Sequence, residues 1–219
     1  MSALELAVAV RRLDLAQLAA RLDEVAAAGC RELHIDIGDG RFTADYGLGF
    51  EVLEAVRTNS DLPCHIHLQT LEPDRAIDRF GDAGCKTLSV HAETCLHAPR
   101  TLAHIRELGM TPGIALNAAT PLTRLEYLLP YTDCVLLVLQ EPGTKQAEIP
   151  SAALERVRIL RENLDYLESR ARLQVKGAIA PADATRLIEC GADTIVIDAP
   201  ALRNGSLDAT LEPYSRLLG

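Results

Sequence analysis

A chain of 219 residues, 48% of them hydrophobic, is long enough to bury a sizeable core within one domain. Its net charge of −9 argues against binding a phosphate backbone or an anionic membrane. With 4% aromatics and no Trp it also lacks the rings of a base-stacking nucleic-acid surface. No apolar stretch is long enough to span a bilayer, and the N-terminus shows no signal-peptide pattern. Six cysteines without a C-x-x-C pair read as reduced, mostly buried thiols of a cytoplasmic protein.

In chain order, the apolar run Leu4 to Val10 predicts a first strand, and Asp14 is placed to cap a helix from Leu15 to Ala28 that ends at Gly29. Leu33 to Ile37 follows as the second strand. Phe50 to Thr58 reads as a helix and Pro63 to Leu68 as a strand. The unit of helix, glycine and apolar strand then recurs. Arg75 to Ala83 stops at Gly84 before Thr87 to Val90, and Pro99 to Leu108 stops at Gly109 before Gly113 to Leu116. Pro121 to Leu129 predicts a short helix and Cys134 to Leu139 a strand buried on both faces. Pro150 to Ser169 is the longest predicted helix, and Leu173 to Lys176 is a strand. Pro181 to Cys190 stops at Gly191 before Thr194 to Ile197, and Leu207 to Leu218 is a closing helix. About eight strand–helix pairs with no dividing linker predict a single (β/α)8 TIM barrel over residues 1–219.

In that fold, chemistry belongs at the C-terminal ends of the strands. The ends predicted here carry Asp36 to Phe42, His67 to Thr70, His91 to Thr94, Asn117 to Thr120, Gln140 to Gln146, Lys176 to Ala180 and Asp198 to Pro200, whereas the strand starts are read as poor in polar residues. His34 and Asp36, two apart, share a strand face, as do His65 and His67. Two imidazoles and a carboxylate that converge can hold zinc, iron or manganese, or can form a polar network without metal. His97 and His104 read as solvent-facing, and Arg11 and Arg12 either as contacts for an anion or as surface charges at a helix start. Asp39 and Gly40 read as turn formers, and Asn117 as a polar positioner or a loop brace.

The strings His34-Ile-Asp36-Ile-Gly-Asp39-Gly40-Arg41-Phe42, His65-Ile-His67-Leu68, Ser89-Val90-His91-Ala92-Glu93, Leu116-Asn117-Ala-Ala-Thr120-Pro121 and Glu141-Pro142-Gly143 resemble the ribulose-phosphate 3-epimerase family over nearly the whole length. The resemblance implies inversion of the carbon beside the carbonyl of a ketose phosphate, with a base on one face and an acid on the other. It implies a divalent metal on His34, Asp36 and His67, with Asp36 also one of the two acid/base groups. His91 and Glu93 match residues that line the pocket.

The chain departs from that pattern in three of its strings. The family's fourth ligand and second acid/base group is an Asp in a V-D-G-G-I string, which here reads Val175-Lys176-Gly177-Ala178-Ile179. Lysine stands only at Lys86, Lys145 and Lys176 in a chain that otherwise uses Arg. A protonated lysine cannot ligate a metal and repels one. Lys176 is therefore read as a stand-in for the metal, as the second acid/base group, as a Schiff-base amine of an aldolase or decarboxylase, or as an ion-pair partner of Asp36 in an inactive relative. The family's phosphate loop is replaced by Pro142-Gly143-Thr144-Lys145-Gln146, and its G-S pair by Asp198-Ala199. The expected site therefore comprises Asp36 and Lys176 as catalytic groups, His34, Asp36 and His67 as metal ligands, and His91, Glu93, Asn117, Gly143, Lys145, Gln146 and Asp198 as substrate contacts. The expected partner is a sugar or sugar phosphate, and the expected assembly a homo-oligomer.

Overall fold

The structure, a computed structural model, describes residues 4–140 and 149–218. Eight parallel strands, β1 (Glu5–Ala9), β2 (Glu32–Gly38), β3 (Cys64–Gln69), β4 (Thr87–His91), β5 (Thr111–Leu116), β6 (Cys134–Val138), β7 (Arg172–Gly177) and β8 (Thr194–Ile197), pair in sequence order. β1 also pairs with β8, so the barrel closes. The predicted (β/α)8 architecture is the one observed.

The helices lie outside the strands: α1 (Leu18–Ala27), α2 (Phe50–Asn59), α3 (Ile77–Asp82), α4 (Ala98–Glu107), α5 (Ser151–Tyr166), α6 (Pro181–Glu189), α7 (Ala201–Asn204) and α8 (Leu207–Ser215). Asp14 caps as expected, accepting from the Ala16 amide at 3.0 Å, but the first turn it caps, Leu15–Gln17, is a 3-10 turn. The four glycines predicted to end helices, at 29, 84, 109 and 191, all have positive φ, the conformation that lets the chain turn from helix into strand. The helix expected over Pro121 to Leu129 is replaced by 3-10 turns at Leu122–Leu125 and Leu129–Tyr131. Pro130 has no N–H to donate to the Glu126 carbonyl, so an α-helical ladder could not run on through it.

The apolar core is the layer between the strands' outer faces and the helices. Val8, Ile35, Ile66, Leu88, Ile114, Val135, Val175 and Ile195 meet Leu22, Leu53, Leu102, Val157 and Leu187 there. β6 is buried along its whole length, as predicted. Ala7, Ala9 and Val196 form a separate small apolar group. They sit on the alternate strand face from Val8 and Ile195, so they point into the barrel.

Much of the remaining barrel interior is polar, and this corrects the expectation that the strand starts carry few polar groups. Glu32 accepts from the Gln174 side-chain amide at 2.6 Å and from Arg172 Nη2 at 2.6 Å. His65 Nδ1 lies 3.4 Å from Glu32, and its Nε2 is hydrogen-bonded to Ser89 Oγ at 2.7 Å. Arg172 also pairs with Glu5. Burial alone would raise the Glu32 carboxyl, but the nearby His65 ring and the Arg172 guanidinium bring it down to about 2. This floor cluster lies one layer below the predicted site.

Candidate active site

Adjacent strands in register bring the site together. His34 is opposite His65 and Asp36 opposite His67 across β2 and β3, and His67 is opposite Ser89 on β4. Lys176 enters from β7, flanked by Val138 and Val196. All four predicted central residues converge. His34, Asp36, His67 and Lys176 are buried, with exposures of 0, 2, 1 and 6%.

Asp36 Oδ1 is the hub. His67 Nδ1 lies 3.0 Å from it and His34 Nε2 3.4 Å, Gln69 Nε2 donates to it at 2.9 Å, and the Lys176 ammonium donates to it in direct contact. Arg11 Nε is 3.3 Å from the other oxygen. Burial would raise this carboxyl, but the Lys176 charge, the nearby His34 ring and the hydrogen bond with His67 hold it well below the usual carboxylate range. Burial pushes His34 down to about 4, assisted by the Lys176 charge, and pushes His67 well below its ordinary value. Both rings are therefore neutral at pH 7.

His91 and Glu93 extend the cluster toward the rim. His67 Nε2 and His91 Nε2 are 2.8 Å apart, and the rings stack with centroids 4.9 Å apart. His91 Nδ1 lies 3.0 Å from Glu93 Oε2. The other Glu93 oxygen accepts from the Asn117 backbone N–H at 2.8 Å and from the Thr120 hydroxyl. Despite burial, these partners, His91 first, bring Glu93 down to about 2. Phe42, from the β2 loop, covers His91 with ring centroids 4.6 Å apart.

That loop folds back onto β2. Asp39 accepts the backbone N–H groups of Arg41, Phe42 and Leu71, and Leu48 N donates to Asp36 O at 2.7 Å. Gly47, at φ +62°, crosses β2 so closely that a Cβ there would lie 2.5 Å from Asp36 O.

The remaining expected contacts divide. Asp198 is at the rim but is taken up by Arg11, at 2.8 Å, and by Arg12. Arg11 and Arg12 thus belong to the barrel mouth, where both contact the Asp198 carboxylate, and of their two readings the one as surface charges is corrected. Asn117 serves through its backbone, and its buried side-chain Oδ1 has no hydrogen-bond partner. Gly143, Lys145 and Gln146 lie outside the described residues. His97 is exposed, and His104 is half-buried on the outer side of α4, where its Nε2 lies 2.7 Å from Asp78 Oδ1. One participant, Gln69, was not singled out. Gln69 carried a usable signal, being two residues beyond His67 on the same strand and hence on the same face.

His34, Asp36 and His67 offer ligand atoms within 4.8 Å of one another, the cluster that can hold a metal ion. Both His34 ring nitrogens lack hydrogen-bond partners, which would suit an ion. The charges do not. Asp36, the one anionic ligand, is neutralised by Lys176, and its second oxygen faces Arg11. At an effective dielectric near 20, a divalent ion about 4 Å from an ammonium is opposed by about 8 kcal/mol, comparable to a whole micromolar binding energy. The triad is present, but with Lys176 in place it does not fit a resident divalent ion.

A closed parallel barrel with a cluster of charged residues at its C-terminal strand ends has the layout of a barrel enzyme. Within that class the sequence decides: residues 5–201 match the pattern of the Ribulose-phosphate 3 epimerase family, and the chain belongs to it. It is 34% identical over 185 residues to the chloroplastic ribulose-5-phosphate-3-epimerase of Arabidopsis thaliana, covering 84% of this chain and 66% of that one. It is 32% identical to the ribulose-phosphate 3-epimerase of Aquifex aeolicus (87% and 86% covered) and 34% identical to that of Bacillus subtilis (88% and 89% covered). Among solved structures, a mutant tryptophan synthase alpha-subunit from Pyrococcus furiosus superposes with a TM-score of 0.68 at 17% identity, covering 91% of this chain and 88% of that one, a likeness of fold alone. No helix among the described residues is long and apolar enough to cross a membrane.

Proposed function

We propose that this chain is a one-domain enzyme that moves the proton at the carbon beside the carbonyl of a ketose phosphate, ribulose 5-phosphate in the first instance, and thereby interconverts two epimers. The observation that carries the reading is the contact between Asp36 and Lys176 at the barrel mouth, joined to membership of the epimerase family. Asp36 is an anion at neutral pH, the state a base requires. Bound tightly to Lys176 it is a weak base. A substrate seated between the two breaks that contact and raises the basicity of the carboxylate. Asp36 then takes the proton from one face, and Lys176, reaching in from β7, returns one to the other. His34 and His67, both neutral, hold Asp36 in place. His91, Glu93, Asn117, Gly143, Lys145, Gln146 and Asp198 are the proposed substrate contacts.

The zinc, iron or manganese that the family resemblance implies has no step in this reading. A lyase working through a Schiff base on Lys176 is less well supported, because the relatives named above are epimerases. The cytoplasm is the proposed compartment, in keeping with six free thiols, five of them buried. A homo-oligomer is the proposed assembly, supported by Leu96, 86% exposed, and Tyr46, 75% exposed.

The test is proton exchange. The chain is incubated with D-ribulose 5-phosphate in heavy water and followed by proton NMR. Loss of the C3 proton signal with formation of the C3 epimer is expected. A ketose phosphate that gains no deuterium would end this reading.

A further inference from the structure

We propose that the ammonium of Lys176 takes the place of a divalent ion, making this barrel mouth a metal-free centre for holding an enediolate. The inference rests on the proton-abstraction reading above and adds to it the identity of the electrophile.

Three observations carry it. The first is position. Lys176 Nζ sits on Asp36 Oδ1, the oxygen around which the His34 and His67 nitrogens and the Gln69 amide gather. An ion bound by the triad would have to share that oxygen with the ammonium.

The second is charge. An Asp in the Val175–Gly177 string would add −1, whereas Lys176 adds +1. The difference of two units is the charge of the ion it would replace. The Asp36–Lys176 pair is therefore neutral, as two carboxylates and a divalent ion would be.

The third is availability. Among the described residues Lys176 has one hydrogen-bond partner, Asp36, and an ammonium carries three donors. Its strand neighbours Val138 and Val196 offer no competing carboxylate. The nearby Asp198 is held by Arg11 and Arg12. Two N–H donors thus remain for a ligand oxygen, in a site dry enough for one charge to act strongly.

The chemistry balances without a further reagent. The C–H bond beside the carbonyl breaks, its proton goes to Asp36, and its electron pair enters the carbon–carbon bond. The carbonyl oxygen becomes an enediolate oxygen hydrogen-bonded to the Lys176 ammonium. Protonation of the opposite face of that carbon by a second N–H of Lys176 re-forms the carbonyl and completes the inversion, and the proton held by Asp36 passes to the lysine amine.

The experiment uses the purified full chain. Metal content is measured by mass spectrometry, Co2+ is titrated calorimetrically, and deuterium exchange on ribulose 5-phosphate is timed before and after chelation. Wild type is expected to hold far less than one ion per chain and to exchange at a rate that chelation leaves unchanged. Lys176→Met is expected to lose roughly 100- to 1000-fold in exchange rate while keeping its circular dichroism. Lys176→Asp is expected to bind Co2+ about 100-fold or more tightly than wild type, with a cobalt absorption band. A wild type that holds one ion per chain and dies on its removal overturns the proposal, as does Lys176→Met exchanging like wild type. If wild type exchanges nothing, the epimerase reading has failed, and the Co2+ titrations alone decide. Cobalt refused by wild type and accepted by Lys176→Asp sustains the metal-free centre, and cobalt accepted by both overturns it.

Discussion

His67 and His91 share a hydrogen bond between their Nε2 atoms at 2.8 Å, and this contact ties the buried Asp36 to Glu93 at the rim. Asp36, His67, His91 and Glu93 form an unbroken row, carboxylate to ring to ring to carboxylate. Such a row fixes how each ring is turned. Glu93→Gln keeps the shape but removes the charge that anchors His91. It is expected to lower the exchange rate by roughly 10- to 100-fold through misplacement of His67 and Asp36. The check is kcat and KM measured together, with kcat carrying the loss.

Asp36→Asn removes the proposed base and the counter-charge of Lys176 in one step. Exchange is expected to fall by roughly 100- to 10,000-fold. The buried ammonium is left uncompensated, which is expected to cost about 3 kcal/mol or more of stability. Asp36→Asn combined with Lys176→Met removes both charges and is expected to recover much of that stability without recovering exchange. Urea unfolding of the single and double variants, beside the heavy-water assay, separates the two effects.

Acid is expected to weaken the fold progressively. His34 is lowered from 6.5 to about 4, so the folded chain binds fewer protons than the unfolded one. Its contribution is present above pH 6.5 and is lost as pH falls toward 4. Glu32, lowered from 4.5 to about 2, contributes above pH 4.5 and loses that contribution as pH falls toward 2. Unfolding free energies at pH 7.5, 5.5 and 4.5 should therefore decline in order. In Glu32→Gln the decline below pH 4.5 should be shallower, on a baseline lower by about 3 kcal/mol for the broken pair with Arg172.

Gly113 lies opposite Ser89 in the β4–β5 ladder, and a Cβ added there would fall 2.0 Å from Ser89 Oγ and 3.1 Å from its Cα. Backbone cannot step aside as a side-chain tip can. Gly113→Ala is expected to lose about 1–3 kcal/mol and to disturb the hydrogen bond from Ser89 to His65. Thermal melting of the variant measures the first effect, and the His65 ring signals in NMR report the second.

The barrel was legible in the sequence because each repeat announces itself locally: an apolar strand, an amphipathic helix and a glycine that turns one into the other. The central residues were legible because His34 and Asp36, like His65 and His67, stand two apart on strands. Two features were not readable that way. Arg11 looks like any charge after a strand until closure of β1 against β8 carries it to Asp198 and Asp36. Glu32 and Gln174 look like the wet ends of their strands, and only the closed ring places them in its interior, within 2.6 Å of each other.

The floor cluster has a consequence for how the chain is made. Glu32 emerges early in synthesis, yet the groups that neutralise it from β7, Arg172 and Gln174, follow 140 and 142 residues later. Until they arrive, a nascent barrel would enclose a naked carboxylate, at a penalty that a partial ring of strands cannot meet. The growing polypeptide is thereby kept from settling into a truncated, edge-exposed sheet, and closure waits for the last quarter of the chain.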